Sequence, residues 1–138
     1  MAASLSVRAV ANDSLVWEGE AKSVVVRTTE GDMGVRAGHM PIMARLVPHA
    51  AEILTPDGDR LILAISGGLV SVFENHVSIL SAYGELAEEI SVEEAESGIA
   101  MYHDAVSEGT ADERTQREYR RFLSQRRAAA KYSQLKRK

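Results

Sequence analysis

Near residue 85 the sequence changes its periodicity from two to between three and four, and one layer of secondary structure cannot serve both halves. Before that point the chain breaks into short runs. Leu5-Ser-Val-Arg-Ala-Val10 alternates and closes on the turn-forming pair Asn12-Asp13. Val24-Val-Val-Arg-Thr-Thr29 is rich in β-branched residues and ends at Glu30-Gly31. Glu52-Ile-Leu-Thr55 and Arg60-Leu-Ile-Leu-Ala-Ile65 flank Pro56-Asp-Gly-Asp59, where proline presets one turn dihedral and glycine tolerates a positive one. Leu69-Val-Ser-Val-Phe73 and His76-Val-Ser-Ile-Leu80 flank Glu74-Asn75, a second tight hairpin. Short strands at this spacing predict an antiparallel β-sandwich or barrel over residues 1–84.

The second half, residues 85–138, predicts a two-helix hairpin. Ser91-Val-Glu-Glu94 has the form of a capping box, and Val92, Ala95, Ile99, Tyr102 and Val106 make one apolar stripe of a helix ended by Gly109. A second helix is expected from near Asp112 to about Leu135, with no proline or glycine inside it. Its apolar content is thin: Tyr119, Phe122, Leu123, three alanines, Tyr132 and Leu135. Such a helix needs a partner to hold it, and Gly98 should weaken the first helix by roughly 1 kcal/mol relative to alanine. The pair is therefore expected to be mobile. The fold class is α+β, and the 138 residues suffice for a small domain with an appendage.

Charge divides along the same helices. Residues 85–113 carry ten acidic side chains and no Lys or Arg, whereas residues 114–138 carry ten basic ones against Glu118 alone. The basic set is Arg114, Arg117, Arg120, Arg121, Arg126, Arg127, Lys131, Lys136, Arg137 and Lys138. An acidic helix can fold back on a basic one, yet each exposed pair contributes only about 0–1 kcal/mol. A second acidic surface could then compete for the basic helix. Charged helices are also often plain solvated faces. A nucleic-acid reading of the basic tail, with Tyr119, Phe122 and Tyr132 stacking, stands against the acidic helix beside it and the overall net charge of −4.

Signals for chemistry are missing. With no cysteines, disulfides, thiol nucleophiles and Cys-ligated zinc are excluded. His39, His49, His76 and His103 form no i, i+3 or i, i+4 pair that would suggest a metal site. No phosphate loop, dinucleotide fingerprint or nucleophile elbow occurs, so no catalytic residue, cofactor or metal is expected. The start lacks an apolar core for a signal peptide, and Leu61 to Val70 falls short of the roughly 20 residues a membrane span needs. A soluble chain is expected, which leaves binding to something embedded in a membrane open.

Two stretches resemble the epsilon subunit of F-type ATP synthases. One is Glu30-Gly-Asp-Met-Gly-Val-Arg-Ala-Gly-His-Met-Pro-Ile42, similar to that family's acidic-Gly turn, short strand and Gly-His-x-Pro. The other is Ala64-Ile-Ser-Gly-Gly-Leu-Val-Ser-Val72 followed by Asn75-His-Val-Ser-Ile-Leu80, similar to its Gly-Gly strand and hairpin. Gly31, Gly34, Gly38, Pro41 and Gly67-Gly68 also have an architectural explanation, as turn and close-packing residues. The resemblance implies a non-catalytic subunit of the rotor stalk, peripheral on the cytoplasmic face of a bacterial plasma membrane and monomeric when isolated. It implies that the sandwich binds the gamma subunit, with His39 (a loop histidine expected to be exposed) on that face. The turn holding Glu30 and Asp32 would meet the membrane c-ring. The arginines Arg114, Arg117, Arg120, Arg121, Arg126 and Arg127 would meet the alpha and beta subunits when the helices extend, blocking ATP hydrolysis.

One departure concerns nucleotide. Some family members bind ATP through Ile/Leu-Asp-x-x-Arg-Ala, where this chain has Ile90-Ser-Val-Glu-Glu-Ala95. Ser91 and Glu94 replace the aspartate and arginine, and a carboxylate in place of a cation should repel a phosphate. The competing reading is a free-standing β-sandwich binding module with a basic helical tail, and an enzyme with an active site assembled from distant residues comes third.

Overall fold

The computed structural model describes residues 4–12 and 14–136, so Asp13 of the first turn and the terminal cations Arg137 and Lys138 lie outside the described residues. Ten strands come first: β1 (Leu5–Ala11), β2 (Ser14–Ala21), β3 (Ser23–Thr28), β4 (Gly31–Arg36), β5 (Ile42–Leu46), β6 (His49–Leu54), β7 (Arg60–Ile65), β8 (Gly68–Phe73), β9 (His76–Ser81) and β10 (Gly84–Leu86). A 3-10 turn at Ala87–Glu89 then leads into α1 (Val92–Ser107) and α2 (Glu113–Lys136).

The strands run in the order β10-β7-β6-β3-β5-β8-β9-β1-β2, with β4 beside β3. They fold into two layers, and β3 meets β5 at the junction where Thr28 faces Leu46. Alternation sends Leu5, Val7, Val24, Val26, Val35, Ile53, Leu63, Ile65, Val70, Val72, Val77 and Ile79 into a shared interior, each essentially inaccessible to water. At the far edges the layers also approach, because a Cβ on Gly84 of β10 would lie 3.2 Å from Val16 Cγ2 of β2. The antiparallel sandwich expected from the sequence is present, with one parallel pair inside it. β1 runs alongside β9 in register from Ser6↔His76 to Ala11↔Ser81. The intervening strands form a crossover long enough for that geometry.

Turn chemistry explains the hairpins. Glu74 and Asn75 both have positive φ, 47° and 64°, the two-residue turn whose twist matches its strands. Gly68, at φ +112°, is required by space as well as by conformation: a Cβ there would sit 1.9 Å from the carbonyl oxygen of Leu80. Its partner surface is thus the neighbouring strand β9 rather than the opposite layer.

The helices form the expected hairpin. Ser91 accepts from the amide of Glu94 at 3.3 Å, which is one half of the capping box. Asp112 Oδ1 accepts from the amide of Thr115 at 2.8 Å and starts α2. Contacts at Glu96–Arg126, Gly98–Phe122 and His103–Tyr119 fix an antiparallel alignment. Charge complementarity between the helices is slight, since Arg126–Glu96 at 3.9 Å is their sole ion pair among the described residues. The helices meet instead where Phe122 lies over Gly98, so the absent Cβ makes room for the ring. The partner that α2 needs is the sandwich itself. Its buried Ala128, with Tyr132 and Leu135, packs on Ile62 and Ala64 of β7, Ala50 of β6 and Ala87. Small residues let the helix approach closely, so α2 docks without a long stripe of large side chains.

Candidate interaction surfaces

The outer faces of the two layers are treated differently. The face of β6 and β7 is covered by α2, while the face of β5, β8, β9, β1 and β2 carries no covering element among the described residues. On that bare face Leu69 of β8 stands opposite Leu80 of β9, Leu80 opposite Val10 of β1, and Val10 opposite Leu15 of β2. Side chains in register on one face are neighbours, so these four form a continuous apolar row. Leu15, Leu69 and Leu80 are about half exposed, and Met40, Met43 and Phe73 extend the patch toward the β8–β9 turn. A contiguous apolar surface of this kind is a candidate interface.

Leu69, Leu80 and Met40 fall within the stretches that carry the sequence-level resemblance, but none of the patch residues was expected to bind a partner, although a signal was present. Leu69-Val70 and Ile79-Leu80 place apolar side chains on both parities of a strand, which is the pattern of a strand covered on both faces. One face is met by the core and the other is exposed.

His39 sits at the rim of this face. The amide of Gly38 donates to Asn75 Oδ1 at 2.7 Å, which ties its loop to the β8–β9 turn, and His39 Nδ1 lies 2.7 Å from its neighbour's carbonyl oxygen on Met40. The side chain is half-buried rather than free. Glu30 and Asp32 stand at the β3–β4 turn, away from His39. The amide of Glu30 donates to Thr28 Oγ1 at 3.1 Å, and Asp32 accepts from Arg27 Nε at 2.7 Å across the strand pair. The hydrogen bond from Arg27 holds the Asp32 carboxyl below the usual carboxylate range. Glu30 is exposed and makes no side-chain hydrogen bond or ion pair among the described residues.

The six arginines divide into two groups. Arg121 pairs with Glu118 at 2.7 Å and lies over the rings of Phe122 and Tyr83, at 4.6 and 5.5 Å. Arg126 reaches Glu96, and Arg127 donates to the carbonyl of Pro48. Arg114, Arg117 and Arg120 are exposed and form no ion pair among the described residues. Arg117 and Arg120 border an open groove of about 550 Å³ against Ser66, Gly67 and Gly68.

Polar contacts add specificity to the seating of α2. Gln125 Nε2 donates to Tyr83 Oη at 2.8 Å, and Tyr83 Oη donates to Glu85. Burial, then the Glu85 hydrogen bond, pushes the Tyr83 phenol well above its ordinary pKa. Lys131 Nζ lies 3.1 Å from Glu52, which also binds Arg60. Burial raises the Glu52 carboxyl, but its hydrogen bonds to Lys131 and Arg60 outweigh that and leave it below the usual range. These contacts depend on pairs such as Lys131–Glu52 that are far apart in sequence.

Among the described residues no group of acidic and histidine side chains is arranged to hold a metal, and no helix is long and apolar enough to cross a membrane. At Ser91 and Glu94 the structure has a helix cap, and Glu94 is exposed.

Comparison with known proteins gives a consistent result. Residues 4–87 match the sequence model of the ATP synthase Delta/Epsilon chain beta-sandwich domain. The ATP synthase epsilon chain of Streptomyces avermitilis is 43% identical over 117 residues, which cover 83% of this chain and 94% of that one. That of Cutibacterium acnes is 46% identical over 92 residues, 66% of this chain and 63% of its own. Among solved structures, a chain of the Euglena gracilis mitochondrial ATP synthase, in its OSCP/F1/c-ring assembly, superposes with a TM-score of 0.74 at 22% identity. The match covers 97% of this chain and 83% of that chain, and it shows the fold.

Proposed function

The chain belongs to the ATP synthase epsilon-chain family, and from that premise we propose that it is a central-stalk subunit whose bare apolar face clasps the gamma subunit. It performs no catalysis of its own and acts by holding other chains in position. The observation that carries this reading is the asymmetry of the sandwich: α2 covers one outer face, and the row from Leu69 to Leu15 leaves the other apolar and open. A stalk subunit seated on that face would supply the missing cover. His39 at the rim of the face would then touch the same partner.

The β3–β4 turn, with Glu30 exposed beside the Arg27–Asp32 pair, would meet the polar loops of the c-ring and receive torque from it. The complex would sit on the cytoplasmic side of a bacterial plasma membrane and be peripheral to it. The docked hairpin is one position of a regulatory element, and extension would carry Arg114, Arg117 and Arg120 into acidic surfaces of the alpha and beta subunits. Restraint of ATP hydrolysis would follow from that second position. The domains accordingly divide the work, with residues 1–84 for attachment and residues 85–138 for regulation.

A tagged chain tests the reading by recovery of synthase from bacterial membranes, with ATPase activity as readout. Wild type is expected to recover an ATP-hydrolysing complex, and a chain ending at Leu86 to recover a faster one. Leu80→Glu should leave the fold within about 0.5 kcal/mol of wild type, because the side chain is at the surface. It should nevertheless abolish recovery, since a carboxylate would be buried at the clasp. Recovery undiminished by Leu80→Glu would sink the assignment of this face.

A further inference from the structure

Between α2 and the β3–β4–β6 edge lies a pocket of about 240 Å³ that holds a buried histidine the stalk role does not use. One wall is His49, the first residue of β6, which is 3% exposed. Its Nδ1 is 2.7 Å from the carbonyl oxygen of Val47. A carbonyl only accepts, so Nδ1 carries the ring proton and Nε2 of the neutral ring presents a lone pair. Among the described residues that buried Nε2 has no hydrogen-bond partner. An orphaned buried acceptor of this kind calls for a donor.

The charged groups around it come from four elements. Arg27 of β3 and Asp32 of β4 face the pocket as an ion pair, and Arg127 and Lys131 enter from α2. Lys131 also reaches Glu52 of β6, and Arg127 has committed one N–H to Pro48. The guanidinium fork of Arg127 retains further donors, and an ammonium has three. Cations therefore outnumber Asp32 in the pocket, beside a neutral group that can only accept.

We propose that this pocket binds one phosphate-class oxyanion, accepting from Arg127 and Lys131 while its P–OH donates to His49 Nε2. Sulfate has the same shape but no proton to give at neutral pH, so it would require a charged His49. Burial, foremost among the influences on this ring, disfavours that charge and lowers its pKa from 6.5, with Arg27 and Lys131 acting in the same direction. Phosphate is thus preferred over sulfate near neutrality, and the preference shrinks as pH falls. The volume suits a free ion and is below the roughly 300 Å³ of sites that take larger ligands whole. Because the ion joins α2 to the sandwich, it would favour the docked hairpin by mass action. This inference does not depend on the stalk assignment.

The test titrates the full-length protein with inorganic phosphate at constant ionic strength against chloride, near pH 7.5. The His49 ring resonances report on binding and amide exchange in α2 reports on docking. A saturable phosphate shift of His49 is expected, with a much weaker response to sulfate and slower exchange in α2. Arg127→Gln, at an exposed position, should weaken binding roughly tenfold or more. Lys131→Gln should act in the same direction. No saturable shift, an equal response to sulfate, or unchanged phosphate affinity in both variants would overturn the proposal. A shift with ATP but none with inorganic phosphate would overturn the assignment to a free ion.

Discussion

Replacing Gly98 by alanine sets two effects of similar size against each other. Gly98 lies inside α1, where exchanging glycine for alanine ordinarily stabilises a helix by about 1 kcal/mol. Its would-be Cβ, however, falls 2.3 Å from Cδ2 and Cε2 of Phe122 and 2.6 Å from Cγ. Contact at Cγ is with the root of the ring, so a simple end-on shift cannot relieve it. Forcing an added methyl into such a contact costs about 1–3 kcal/mol. The net effect of Gly98→Ala is thus a loosening of the hairpin by roughly 0–2 kcal/mol, against the direction of helix propensity. In a Phe122→Ala background the obstacle is gone, and the same exchange should stabilise by about 1 kcal/mol. Amide exchange of inner α1 and α2 amides is the assay, because the hairpin can open while the sandwich stays folded. If Gly98→Ala alone slows exchange by the full propensity gain, or shows no coupling to Phe122→Ala, the reasoning from ring placement fails.

Gly68→Ala should be among the most damaging substitutions, costing about 3 kcal/mol or more, because its Cβ meets immovable backbone at a positive φ. Chemical denaturation of the sandwich measures it, and a loss under about 1 kcal/mol would refute the close approach. Ala128→Glu would place a carboxylate at a fully buried site against Ile62 and Ala64. Exchange in α2 should rise to that of an undocked helix while β1–β9 amides stay protected. Stability should also fall with acid in two steps. His49 has a folded pKa below its ordinary 6.5, so the unfolded chain takes the proton first and stability declines as pH drops below about 6.5. Glu52 is likewise depressed below 4.5, so its contribution is present above that value and is lost as pH falls through the folded pKa. Glu52→Gln should flatten only the second step in a denaturation series across pH.

Local devices were legible in the sequence. The Pro56–Asp59 and Glu74–Asn75 turns, the Ser91 cap and the bounds of both helices each depend on a few adjacent residues, and each stands where its chemistry predicts. β2, β5 and β10 were not singled out. β2 is an edge strand with an irregular register near Ala9/Val10, and β5 and β10 are only five and three residues long, so their alternation is weak. What the chain alone determined is a strand-built half, a helix-built half and the opposite charges of the two helices, because periodicity and composition are properties of neighbours in sequence. Tertiary structure alone decided the rest. Parallel pairing of β1 with β9 joins residues some seventy positions apart. The basic helix is held by Ala128 on Ile62 and Ala64 and by Lys131 on Glu52 as well as by the acidic helix beside it. Which apolar residues remain uncovered, from Leu15 to Leu69, follows from which face α2 occupies. Burial is a property of the packed whole, and no single strand carries the information for which of its two faces will be met.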